Sequence, residues 1–334
     1  MKNLNFTVVL TLALVILLTP LLVLGKGGES TVKPTAAGFV SYNSSSSQNK
    51  SENEFKYNSY VRLYNIETEK IEKLELRDYI YGVVAGECPM LYHDEAIKAQ
   101  IVAAKTYTLY RMRANSGEDY DVTTEPETSQ NYIDKKTAHE NWGSNAETYD
   151  KKLNALIDEV YDYCVLYKDL PILSVYHAMS SGKTEDCKNV WGSSLSYLKP
   201  VESEGDKLAE GYLTESSFSL AEANGILAAK GITASELCGG EITRTDSGNV
   251  QNIKVGEKEI TGSTVTELFG LRSNNFELKL TEKELQISVR GYGHQVGLSQ
   301  NGANFMAKAG SSFQEILTHY YSGTEVAKYV PKTQ

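Results

Sequence analysis

Leu76-Arg77-Asp78-Tyr79-Ile80-Tyr81-Gly82-Val83-Val84-Ala85-Gly86-Glu87-Cys88-Pro89 is the stretch on which the reading of this chain turns. Leu76, Ile80 and Val83 recur at helical spacing, so residues 76–84 read as a short helix with one apolar face. Pro89 closes it, because proline has no amide hydrogen to continue the ladder. Between helix and proline stands one carboxyl group. Val83, Val84 and Ala85 offer it no solvation, and burial disfavours its charged form. Glu87 is therefore expected to keep its proton nearer neutral pH than an ordinary glutamate, as a general acid must. A cap on the next helix, or a lysine partner, is the other reading of this position.

Beyond Pro89 a second helix opens at His93 or Asp94. It carries Ala96, Ile97, Ile101, Ala104, Thr108, Leu109 and Met112 at helical intervals. Asp94 and Glu95 suit its positive N-terminal end. Lys98, Gln100 and Lys105 are its polar residues that could face a cleft beside Glu87, and Lys98 fits a solvated face better. A polar loop at 121–132 and a helix at 146–161 follow. Hairpins are expected near 58–75, 164–177, 241–260 and 275–290. The predicted fold is α+β: a mainly antiparallel sheet, with the helices of 76–112 packed across it to form an elongated cleft. Residues 200–270 read as a subdomain or as an extended excursion.

At the N-terminus, residues 6–24 form an uncharged apolar run between Lys2 and Lys26. That is long enough to span a bilayer as a helix, and a single-pass membrane anchor over 1–25 is expected. A cleaved signal peptide is the alternative, although Val23-Leu24-Gly25 is a poor cleavage site. Residues 26–56, rich in glycine, serine and other polar residues, read as a flexible tether. Residues 57–334 are then an extracytoplasmic domain, large enough to hold a core without disulfides. The formal net charge of -10 argues against a nucleic-acid partner, and against an anionic wall polymer unless the cleft is locally basic. The 22 tyrosines suit a carbohydrate groove, although most fit strand and core positions equally. Cys88, Cys164, Cys187 and Cys238 are too widely spaced for a zinc motif, and neither metal nor cofactor is expected. A Cys187–Cys238 disulfide is left open, while Cys88 and Cys164 read as free buried thiols.

Two further loops attract attention. Tyr176-His177-Ala178-Met179-Ser180-Ser181-Gly182-Lys183-Thr184-Glu185 sets small hydroxyls and a glycine at a strand end. It reads as a binding loop or an ordinary turn, and lacks the glycine spacing of a phosphate loop. Gly291-Tyr292-Gly293-His294-Gln295-Val296-Gly297-Leu298-Ser299-Gln300 follows a strand and precedes helices at 302–309 and 312–320. Its glycines need unusual backbone angles or close packing. His294 fits a structural role as readily as a catalytic one.

On these residues the chain resembles the stage II sporulation protein D family. Residues 82–89 with 96–107 are similar to the family's first signature. Residues 176–185, Trp191-Gly192, 269–276 and 291–321 are similar to later ones, in order from about residue 60 to 324. The resemblance implies a membrane-anchored lytic transglycosylase of sporulating bacteria, with its catalytic domain in the intermembrane space of the sporangium. Such a protein cleaves peptide-stripped peptidoglycan glycan strands during forespore engulfment, leaving 1,6-anhydro ends. It implies Glu87 as the single acid and base. Lys105, Gln130, Tyr176, Ser180, Ser181, His294 and Gln300 are the expected substrate contacts. An amidase that supplies stripped strands and a membrane partner are implied companions. Two departures stand out: Lys105 replaces a family arginine, and 121–132 lacks the Cys and His with which some relatives bind zinc. Two alternatives are a muramidase, using Asp121, Glu185 or Asp186 as second carboxylate, and a membrane-tethered wall-binding scaffold that recruits or activates an amidase.

Overall fold

Val61 and Leu63 alternate with less buried neighbours, so Tyr60–Asn65 pleats an apolar row inward and pairs antiparallel with Lys70–Glu75. The computed structural model describes residues 56–125 and 128–331. Leu76–Glu87 (α1) leaves the second strand directly and buries Tyr79, Ile80, Val83 and Val84. It runs one turn beyond the expected 76–84, which makes Glu87 its final residue. Asp94–Ala114 (α2) follows, with the His93 side chain accepting the Glu95 amide at its start and Arg111 and Arg113 in its last turn. Nearly every face of α2 is buried, from Ala96 to Met112. A helix buried on nearly all sides belongs in the middle of a core. Around it pack α1, the helices Ala146–Val160, Gln300–Lys308 and Phe313–Tyr320, and the strand Tyr163–Tyr167.

The α+β class holds, with antiparallel pairing at 60–75, 241–261 and 276–290. The single large sheet does not. The described residues form four three-stranded sheets and one two-stranded sheet, and two of them, at 241–261 and at 213–219 with 276–290, cover a second apolar cluster. The expected hairpin at 164–177 closes only between Tyr163–Tyr167 and Leu170–Pro171. Tyr176–His177 departs to pair in parallel with Leu298–Ser299, and that pairing brings two of the glycine-marked loops together.

The expected transmembrane helix, and with it the membrane-anchored localisation and membrane partner, needs correction. No helix among the described residues is long and apolar enough to cross a membrane. The longest, α2, carries Asp94, Glu95, Lys98, Lys105, Arg111 and Arg113, whose charges exclude it from a bilayer core. Residues 6–24, and residues 26–55 of the tether expected over 26–56, lie outside the described residues.

A second apolar cluster gathers Leu227, Leu237, Ile253, Val265, Phe276, Leu285 and Ile287. The chain enters and leaves this segment side by side, since Leu213–Ser219 pairs along Glu284–Arg290 and the Gly291 amide donates to Tyr212 O at 2.9 Å. Polar contacts dock it on the main body. Glu185 accepts from Thr245 Oγ1 at 2.5 Å and Asn249 Nδ2 at 2.8 Å, and Ser247 Oγ donates to Thr184 O at 2.6 Å. All four cysteines are free thiols. Cys187 and Cys238 belong to different clusters, so the open disulfide does not form.

Candidate active site

Two glycines on α1 let a loop lie directly against it. A Cβ on Gly82 would stand 2.4 Å from Ile133 O, and one on Gly86 would stand 3.1 Å from Asn131 O. With no side chain there, Asn131 Nδ2 reaches Gly86 O at 3.2 Å and the Asn131 amide donates to Glu87 Oε1 at 2.8 Å. The backbone oxygen of Glu87 accepts from Gln300 Nε2 at 3.2 Å, which ties the end of α1 to the start of the helix Gln300–Lys308. Burial pushes the Glu87 carboxyl above the usual glutamate range, while hydrogen bonds from Asn131, Tyr176 and Gln300 draw it back; the net direction is up.

Glu87 opens onto a cavity of about 800 Å³. The expected contacts Gln130, Tyr176, His294 and Gln300 line it as well. They form connected pairs: Tyr176 OH donates to Gln130 Oε1 at 3.1 Å, and Gln130 Nε2 donates to Thr108 Oγ1 at 3.1 Å. Gln300 Nε2 also reaches Gln100 Oε1 at 3.4 Å. His294 accepts the Val296 amide on Nδ1 at 3.0 Å, and burial pushes its ring down to about 4 against a hydrogen bond to the Tyr176 backbone. His177 is likewise held well below its ordinary value by burial, then by the neighbouring His294 ring. Both imidazoles are thus neutral at neutral pH.

The remaining expected contacts lie elsewhere. Lys105 is buried under the Tyr161 ring and donates to the carbonyls of Tyr161 and Tyr329. Ser180 donates its hydroxyl and amide to Asp206 Oδ2, at 2.6 and 2.8 Å, in a buried cluster with Ser203 and Ser299. Ser181 donates to Ser247 O at 3.2 Å, at the docking contact of the second cluster. None of the three lines the cavity. The candidate second carboxylates are equally absent from its walls. Asp121 pairs with Arg62 at 2.7 Å, Asp186 with Lys199 at 2.9 Å, and Glu185 serves the docking contact. Among the described residues, Glu87 is the only carboxyl group lining the cavity.

Tyr107, Arg111, Asn131, His177, Trp191 and Tyr292 also line the cavity, although none of them is among the substrate contacts expected from the sequence. Tyr107 and Arg111 follow Gln100 at seven and eleven residues, which puts all three on one face of α2, so periodicity carried a usable signal. Asn131 acts on Glu87 through its backbone amide, which residue identity does not reveal.

Comparison with known proteins adds an independent line. The family described as stage II sporulation protein matches residues 64–167. Stage II sporulation protein D of Bacillus subtilis (strain 168) is 32% identical over 271 residues, which is 80% of this chain and 79% of that protein. The protein of the same name from Bacillus amyloliquefaciens is also 32% identical over 271 residues, 80% of this chain and 78% of that one. The chain belongs to the stage II sporulation protein D family. The amidase enhancer of Bacillus subtilis (strain 168) is a more distant relative, 24% identical over 301 residues, 74% of this chain and 40% of that protein.

Proposed function

We propose that this member of the family acts in cell-wall remodelling during sporulation, and that its cavity cleaves peptide-stripped peptidoglycan glycan as a lytic transglycosylase. The observation that carries this reading is a lone carboxyl, raised by burial, opening into a cavity walled by Arg111 and otherwise by uncharged side chains. Glu87 protonates the glycosidic oxygen between N-acetylmuramic acid and N-acetylglucosamine, so that its bond to C1 of the muramic residue breaks and the N-acetylglucosamine portion leaves with a free 4-hydroxyl. As a carboxylate it then takes the proton of the same muramic residue's 6-hydroxyl, whose oxygen closes on C1 as a 1,6-anhydro ring. No water enters and the proton count balances. General acid–base catalysis of this kind contributes about 10²–10⁴-fold. A hydrolase would ordinarily need a second carboxyl across the sugar, and the described walls supply none. Tyr176, Gln130, Asn131 and Gln300 position Glu87 and the sugar; Lys105, Ser180 and Ser181 serve the fold.

The amidase enhancer relative favours a second reading, a wall-binding protein that recruits or activates an amidase. Mass spectrometry of peptide-free glycan strands after incubation with the protein separates the readings. Anhydro-ended fragments support the transglycosylase, and reducing-end fragments a muramidase. Intact strands, together with faster peptide release when an amidase is added, favour the second reading.

A further inference from the structure

The chain carries a formal net charge of -10, yet the cavity has a cation in its wall. Arg111 lines it from the last turn of α2. Arg62, Arg77 and Arg290 each hold a carboxylate of their own chain, on Asp121, Asp158 and Glu277. Among the described residues no carboxylate pairs with Arg111. Its guanidinium lies 5.9 Å from the Tyr107 ring centre, and its buried Nε has no hydrogen-bond partner. The two histidines of the wall are neutral, and burial disfavours the charged form of Glu87. Among the described residues, Arg111 is the only lysine or arginine that lines this cavity.

We propose that Arg111 binds the free lactyl carboxylate of a muramic acid residue, so that the cleft selects glycan strands whose peptides have been removed. This rests on the reading of the cavity as a glycan cleft. A stripped muramic acid ends its lactyl ether in a carboxylate, whereas a peptide-bearing one ends it in a neutral amide that continues into the stem. A guanidinium fork matches the first and has no ionic partner in the second. Along α2, Gln100 stands near Glu87 through their shared contact with Gln300, and Arg111 stands about 16 Å further along the axis. Arg111 therefore reads a sugar up or down the strand from the reacting bond. It sets specificity without taking part in the chemistry.

The test is titration calorimetry on the full chain carrying Glu87→Gln, which keeps the strand uncut. Two strands of equal length serve as probes, one with free lactyl carboxylates and one with those groups converted to methylamides. The free-acid strand is expected to bind at least about tenfold more tightly, the range of a charged hydrogen bond, with the advantage shrinking as salt is added. Adding Arg111→Gln should erase the difference and leave methylamide binding unchanged, while Arg111→Lys should keep part of it. A preference that survives Arg111→Gln overturns the proposal. If Arg111→Gln does not fold, the parent and Arg111→Lys decide: equal binding of the two strands by the parent overturns it. Binding of neither strand overturns the glycan reading and this proposal together. Cleavage of both strands by the wild-type chain at one rate overturns this proposal alone.

Discussion

Glu87 is held by two opposed effects, burial that favours its protonated form and three hydrogen bonds that favour its charge, and burial prevails. Its sign for stability follows. Between the ordinary glutamate value and the raised one, the folded protein retains a proton that the unfolded chain has released, so stability falls as pH rises through that window. Glu87→Gln should remove this slope and be at least as stable as wild type above it, as urea titrations at several pH values will show; matching slopes in the two proteins would refute the assignment. Activity should follow the same group, with kcat/KM falling as pH rises through the raised value, since the acid must begin protonated. At this scale the sequence was informative where a side chain met an apolar run, as at Glu87. It was silent where the partner was a backbone amide, as at Asn131. It misdirected at Lys105, because a lysine on a helix gives no sign of which face it serves. Only packing shows that its ammonium reaches the carbonyls of Tyr161 and Tyr329.

Among the elements, α1 and the loop at 131–133 form the unit that aims the carboxyl. Their contact depends on Gly82. Alanine is favoured over glycine inside a helix by about 1 kcal/mol, but here the added Cβ would meet the Ile133 carbonyl at 2.4 Å, a backbone atom with little freedom to move. Gly82→Ala is expected to lose about 1–3 kcal/mol in urea unfolding and to impair cleavage, since the loop carrying the Asn131 amide must shift. Gly225, on the helix Leu220–Leu227, has nothing within 4 Å of such a Cβ and is the control. Gly225→Ala should gain up to about 1 kcal/mol. A Gly82→Ala protein that gained likewise would contradict the close approach. Periodicity made α1, α2 and the hairpins at 60–75 and 276–290 legible. It did not reveal that Tyr176–His177 leaves its hairpin, because a two-residue parallel pairing with a strand more than a hundred residues away has no local signature.

At the scale of the molecule, the 213–290 segment has its two end strands paired with each other and is held to the main body by the buried Glu185 contact. Glu185 serves both sides, accepting from Asp186 and Asn189 on one and from Thr245 and Asn249 on the other. Glu185→Ala leaves those donors unanswered and should cost about 2–3 kcal/mol. Hydrogen exchange should then show 213–290 opening ahead of the rest. Unfolding at the wild-type midpoint, with unchanged exchange, would mean that the contact does not couple the two clusters. The α+β class was readable from the sequence, but the division into small sheets over two apolar clusters was not, since it depends on which distant strands and helices pack together. The proposed cleavage depends on one carboxyl group acting in one cavity. The most direct measurement compares wild-type and Glu87→Gln proteins on the same peptide-free glycan, following bond cleavage by mass spectrometry and binding by calorimetry. Cleavage lost with binding retained is the expected result, and cleavage by Glu87→Gln at the wild-type rate would contradict it.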